Sequence, residues 1–155
     1  MKRTSIAGLF GAALFTAAAA LILVRRFYGL LESLSLVVPM SLWIVALACG
    51  FFAWAVKKRR EDGQVGLDRS QINPMMVANL MLLGKASAWT GAVFGGAYVG
   101  ALVYVVPKLS VLTAAAQDFP SLLSGALGGL ALAVAGVVLE RACEVSPPSQ
   151  GEQAS

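Results

Sequence analysis

Apolar residues along this chain gather into four long runs, Ile6 to Val24, Leu34 to Val56, Met75 to Val106 and Leu122 to Leu139, divided by short polar stretches. Each run approaches or exceeds the roughly 18 residues that mark a membrane-spanning helix. The pattern predicts an all-α, polytopic membrane protein: a four-transmembrane-helix bundle over residues 1–143 with the lipid bilayer as its solvent.

The first run begins like a secretory signal peptide, with Lys2 and Arg3 ahead of an apolar stretch and the small residues Ala17 to Ala20. It does not end there, however. It continues through Leu21-Ile22-Leu23-Val24 to Arg25-Arg26, a length that spans and stays, so residues 6–24 are read as an uncleaved helix. The second run contains Pro39, which is comfortable in a first turn and disruptive in a helix interior. Its span is therefore placed at 39–56, closed by Lys57-Lys58-Arg59-Arg60, a cluster too costly to draw into hydrocarbon.

Glu61 to Asn73 is the one substantial polar loop, and Asn73-Pro74 reads as an N-cap followed by proline at the first helical position. From Met75 to Val106 a helix would measure about 48 Å at about 1.5 Å per residue, against about 30 Å of hydrocarbon. Lys85 divides it: residues 74–85 are expected at the interface and 86–106 across the membrane, with Gly84 as the place for a bend and Pro107 as the stop. A loop carrying Asp118 and Pro120 is expected before the fourth span, 122–139. The tail, 144–155, has Pro147-Pro148 and no apolar periodicity, and is expected to be a disordered cytoplasmic segment.

Charge placement sets the orientation. With the N-terminus inside, the cytoplasmic face holds Lys2, Arg3, Lys57 to Arg60, Arg69, Lys85 and Arg141, whereas Arg25, Arg26 and Lys108 lie opposite. Membrane orientation follows Lys and Arg in short loops, so both termini are expected in the cytoplasm. Composition agrees with the bilayer reading: 58% of residues are hydrophobic and 13% charged, with a mean hydropathy of +0.77. Four basic residues abutting a span and followed by Glu61 and Asp62 do not form a groove-sized basic face, so nucleic acid is not an expected partner.

The chain has no histidine and two cysteines, Cys49 and Cys143, with no CxxC pair. A zinc site or disulfide framework is therefore not expected, nor is the commonest general base available. There is no nucleophile elbow, no phosphate-cradling glycine loop and no pair of carboxylates within a membrane run. No catalytic residue, cofactor or metal is expected.

The best-defined pattern lies in the third run. Gly84, Ala88, Ala92, Gly96 and Gly100 form one ridge at i, i+4 spacing, and Ser87, Gly91 and Gly95 form its neighbour. Such ridges let another backbone approach closely, which is how helices gain contact where lipid supplies no hydrophobic drive between them. Ser121, Gly125, Gly129 and Ala133 repeat the spacing in the fourth run, and Gly8, Ala12, Thr16 and Ala20 in the first. The motif serves packing inside one chain, a homo-oligomer, or a foreign membrane subunit equally well. Lys85, the one basic residue embedded in an apolar run, reads either as an interfacial anchor that snorkels to headgroups or as a contact to a lipid, a substrate or another helix. Its expected internal partner is Glu140.

The run Gly84-Lys85-Ala86-Ser87-Ala88-Trp89, followed by Gly91-Ala92, Gly95-Gly96, Tyr98, Gly100, Tyr104 and Pro107, resembles the signature region of an uncharacterised actinobacterial family of small four-helix membrane proteins. The Met1-Lys2-Arg3-Thr4 start, Leu23 to Arg25 and the glycine-containing loop before Asn73-Pro74 fit as well, so the resemblance covers roughly residues 1–143. It implies a plasma-membrane protein of a Gram-positive bacterium, often encoded beside folate-biosynthesis enzymes, with no assigned activity and hence no catalytic residue to carry over. Three functions remain: an accessory or structural subunit packing through its small-residue faces, a small oligomeric transporter or channel, and a lipid-binding membrane enzyme.

Overall fold

The computed structural model describes residues 4–27, 35–62 and 74–144, and within these it is all helical. Helix α1 runs Ile6–Phe27, α2 Val37–Asp62, α3 Pro74–Val105 and α4 Thr113–Cys143, with one turn of 3-10 helix at Val106–Lys108. All four α-helices are long and apolar enough to cross a membrane. The expected tail after residue 144, the N-terminal Met1 to Arg3 and the polar loop 63–73 lie outside the described residues.

One boundary departs from the sequence reading by more than two turns. Helix α4 starts at Thr113, nine residues before Leu122, and carries Pro120 inside it. The stretch with Asp118 and Pro120 is helix, not loop, because only one backbone donor is lost at the proline and the neighbouring turns hold. Helix α3 is a single element through Gly84, and it ends where Pro107 interrupts the hydrogen-bond ladder and tightens the chain into the 3-10 turn. Pro39 falls in the first turn of α2, where its missing N–H has no helical acceptor to serve.

Helices α3 and α4 form the central antiparallel pair; α1 lies along α3 on one flank and α2 along α4 on the other. The bundle is thus ordered α1, α3, α4, α2, and α1 comes within backbone packing distance of neither α4 nor α2. Contacts between Gly96 and Ala13 and between Gly100 and Ala17 make α1 and α3 parallel. The start of α1, the end of α2, the start of α3 and the end of α4 therefore share one end of the bundle, called the inner end below.

The α2–α4 flank is a conventional apolar seam. Pro39, Leu42, Ala46, Cys49, Ala53 and Val56 are the buried positions of α2, and their alternating spacing of three and four keeps one stripe turned inward. All of these but Pro39 pack with Leu132, Leu139 and Cys143 of α4 and Leu80 of α3 in the largest apolar cluster. Helix α1 is the opposite case: Leu9 alone of its residues is buried.

Candidate functional site

Backbone proximity dominates the α3–α4 seam. A Cβ added to Gly84 would lie 2.8 Å from the Glu140 nitrogen and 2.9 Å from the Gly136 oxygen, and one added to Gly95 would lie 3.2 Å from the Gly129 carbonyl carbon. Gly91 faces the backbone of Ala133 and Gly129, and Gly136 faces that of Ala88. At the outer end Gly125 makes room for the Tyr98 ring, which a Cβ would meet at 2.6 Å. Each of these positions lacks a side chain because another helix occupies the space.

The ridge Gly84, Ala88, Ala92, Gly96, Gly100 does not face a single partner. Gly84 lies against α4, whereas Gly96 and Gly100 lie against the α1 backbone at Ala13 and Ala17, with Thr16 Oγ1 beside Gly96. Ala88 and Ala92 are buried between the two, clustered with Leu9. An i, i+4 row winds slowly around a helix of 3.6 residues per turn, so over four steps it passes from one neighbour to the other. In α1 the contact row is Leu9, Ala13, Thr16 and Ala17 rather than the full Gly8, Ala12, Thr16, Ala20 row; Gly8 approaches the edge of the Trp89 ring.

Buried polar side chains are Ser87, Ser121 and Glu140. The Cys49 thiol donates to Ser87 Oγ at 3.3 Å, tying α2 to α3, and both cysteines are free and buried. Glu140, 4% exposed, sits in the last turn of α4 at the inner end. Its Oε1 accepts a hydrogen bond from the Thr4 backbone nitrogen at 2.9 Å, which ties the approach to α1 onto α4. Its Oε2 and Thr4 Oγ1 are buried without hydrogen-bond partners. Gly84, the residue before Lys85, packs on the Glu140 backbone, which puts the half-buried Lys85 at the level of its expected partner Glu140. The signal that sequence reading lacked was Thr4, a backbone donor far away in the chain that carries no motif.

Aromatic and basic residues mark both ends. Lys58 Nζ lies 5.1 Å from the centre of the Trp54 ring at the inner end, and Lys108 Nζ lies 3.9 Å from that of Tyr104 at the outer end, where it also donates to the Tyr104 hydroxyl. Both are i, i+4 pairs in which the lysine stem runs along apolar surface toward its ring. From Lys85 to Tyr104 the rise along α3 is about 28 Å, close to the thickness of a hydrocarbon core. Trp43 donates from Nε1 to the Ser124 carbonyl at 3.2 Å, its ring lying over Gly128.

Among the described residues no group of His, Cys, Asp and Glu is arranged to hold a metal ion. Four helices long and apolar enough to cross a membrane make up an all-α bundle compatible with a multi-pass membrane protein. The chain belongs to DUF3180, a family of proteins of unknown function, whose model matches residues 9–147. Neither the curated proteins nor the solved structures contain a match to it.

Proposed function

We propose that this is a plasma-membrane protein with a non-catalytic, accessory role, acting through its lipid-facing surface on a larger membrane assembly. The supporting observation is where the buried polar groups lie. Ser121 lies near the outer end, Ser87 is joined to Cys49 between α2 and α3, and Glu140 is at the inner end. Between these levels the α3–α4 seam is backbone against backbone, with no polar file for an ion to follow. The orientation that goes with this reading has both termini cytoplasmic, with an actinobacterial cell as the setting implied by the sequence resemblance.

Gentle-detergent extraction from the native membrane, followed by native electrophoresis and mass spectrometry, tests it. The expected result is migration well above the 16.1 kDa of the chain, with another membrane protein at constant stoichiometry. Migration as a lone chain or a homo-oligomer, together with ion or solute flux in reconstituted vesicles, would replace the accessory reading with transport.

A further inference from the structure

Because α1 and α4 flank α3 without meeting, an open groove of about 600 Å³ runs between them along α3. Its floor is Gly91, Ala92, Gly95 and Gly96, buried residues of α3 at its seams with α4 and α1. Ala13 and Ala17 form one wall, Leu130 and Val134 the other, and the lining is almost wholly apolar. One charged residue reaches it: Arg141, at the inner end of α4.

Size and length select the occupant. Small-ligand sites measure roughly 300–1,000 Å³, and this groove falls within that range. A helix is about 10 Å across, so a partner helix would sit only half within it. Along α4 the lining extends from Arg141 to Ala126, a rise of about 22 Å. One leaflet of a hydrocarbon core is about 15 Å deep, so the groove runs from headgroup level through the depth of a single leaflet. A guanidinium at that level presents planar, paired donors that match phosphate oxygens.

We propose that this groove is a specific phospholipid site, taking one acyl chain between its apolar walls and the phosphate of an anionic headgroup of the phosphatidylglycerol type on Arg141. The glycine seams hold α1 and α4 close against α3, and an acyl chain lying between these two helices gains dispersion contacts with both apolar walls. Selectivity resides in the headgroup contact, since every membrane lipid can supply the chain. The site requires that the chain span a bilayer; it does not depend on a protein partner.

Native mass spectrometry of the full-length protein, titrated with phosphatidylglycerol and with phosphatidylcholine of identical acyl chains, tests the site. One phosphatidylglycerol per chain should be retained in preference to phosphatidylcholine. Arg141→Gln should weaken phosphatidylglycerol retention about fivefold, the effect of one basic residue at a membrane surface. Val134→Trp, which fills the groove from its exposed wall and leaves both glycine seams intact, should abolish retention of either lipid. Equal retention of the two lipids with no effect of Arg141→Gln would overturn the proposal, as would undiminished binding to Val134→Trp. Should either variant fail to fold, the wild-type protein still decides: a phosphatidylglycerol carrying a photoreactive acyl chain should label residues 6–17 and 126–138. Equal labelling of the outward residues Ile44, Leu47 and Phe51 of α2 would reduce the groove to ordinary lipid-facing surface, and crosslinks between two copies through it would assign it to a protein occupant.

Discussion

A side chain at Gly100 would be driven into the backbone of Ala17, and one at Gly96 into that of Ala13, so these two glycines are the room in which α1 rests. Gly100→Leu should therefore cost at least the about 1–3 kcal/mol typical of overpacking and release α1 from α3, whereas Val99→Leu, at an exposed position between them, should leave stability within about 0.5 kcal/mol. Thermal unfolding in detergent measures both, and equal stability would show that α1 is held elsewhere. Glu140 yields a second prediction from its one assigned donor, the Thr4 amide. Glu140→Gln keeps a carbonyl oxygen for that amide and should be tolerated. Glu140→Met leaves the part-buried Thr4 amide without that acceptor and should cost about 1 kcal/mol, the net worth of a typical hydrogen bond. A cycle combining Lys85→Gln with Glu140→Gln then asks whether these neighbours at the inner end are coupled: an interaction above about 0.5 kcal/mol indicates a pair, while additivity within error leaves Lys85 as an interfacial anchor.

At the scale of the helices, the four apolar runs are plain in the sequence because lipid-facing and core-facing positions are both apolar and so leave uninterrupted stretches. That same uniformity hides which side of each helix faces inward, since no polar face marks the outside. In α2 the inward stripe was nevertheless present in the spacing of Pro39, Leu42, Ala46, Cys49, Ala53 and Val56, a three-four alternation that is legible only once small residues are counted with large ones. In α3 the glycines pointed to close approach but not to two different neighbours, because that division comes from the slow winding of the row. The start of α4 was hidden for another reason: Pro120 and Asp118 are local loop signals, and the packing of Ala115 and Leu122 against Ala101 and Val105 overrides them. The proline leaves the Ala116 carbonyl without its helical donor, and an interior proline disfavours a helix by about 3 kcal/mol. Pro120→Ala should accordingly raise the unfolding temperature in detergent. A lowered temperature would mean that the proline fixes the approach of α4 to α3 in a way alanine cannot.

For the molecule as a whole, the helix directions bring basic residues from separate parts of the chain to one end. Lys57, Lys58 and Arg59 close α2, Lys85 stands in α3 and Arg141 in the last turn of α4, while the opposite end has Arg25, Arg26 and Lys108. This imbalance is present in the folded bundle only because α1 and α3 run opposite to α2 and α4, so every second connection lies on the basic side. Orientation in a membrane follows such a bias, and the proposed orientation accordingly keeps the basic end in the cytoplasm. Ser5 and Ser110 are exposed positions at the inner and outer ends, and neither carries a charge that would itself alter the insertion. In a background with Cys49 and Cys143 replaced by alanine, Ser110→Cys should react with a membrane-impermeant thiol reagent applied to intact cells, and Ser5→Cys should react only after the cells are opened. The reverse pattern would invert the bundle and move Arg141 and its groove to the external leaflet. Reaction of both positions from outside would be incompatible with α1 and α3 crossing the membrane in the same direction.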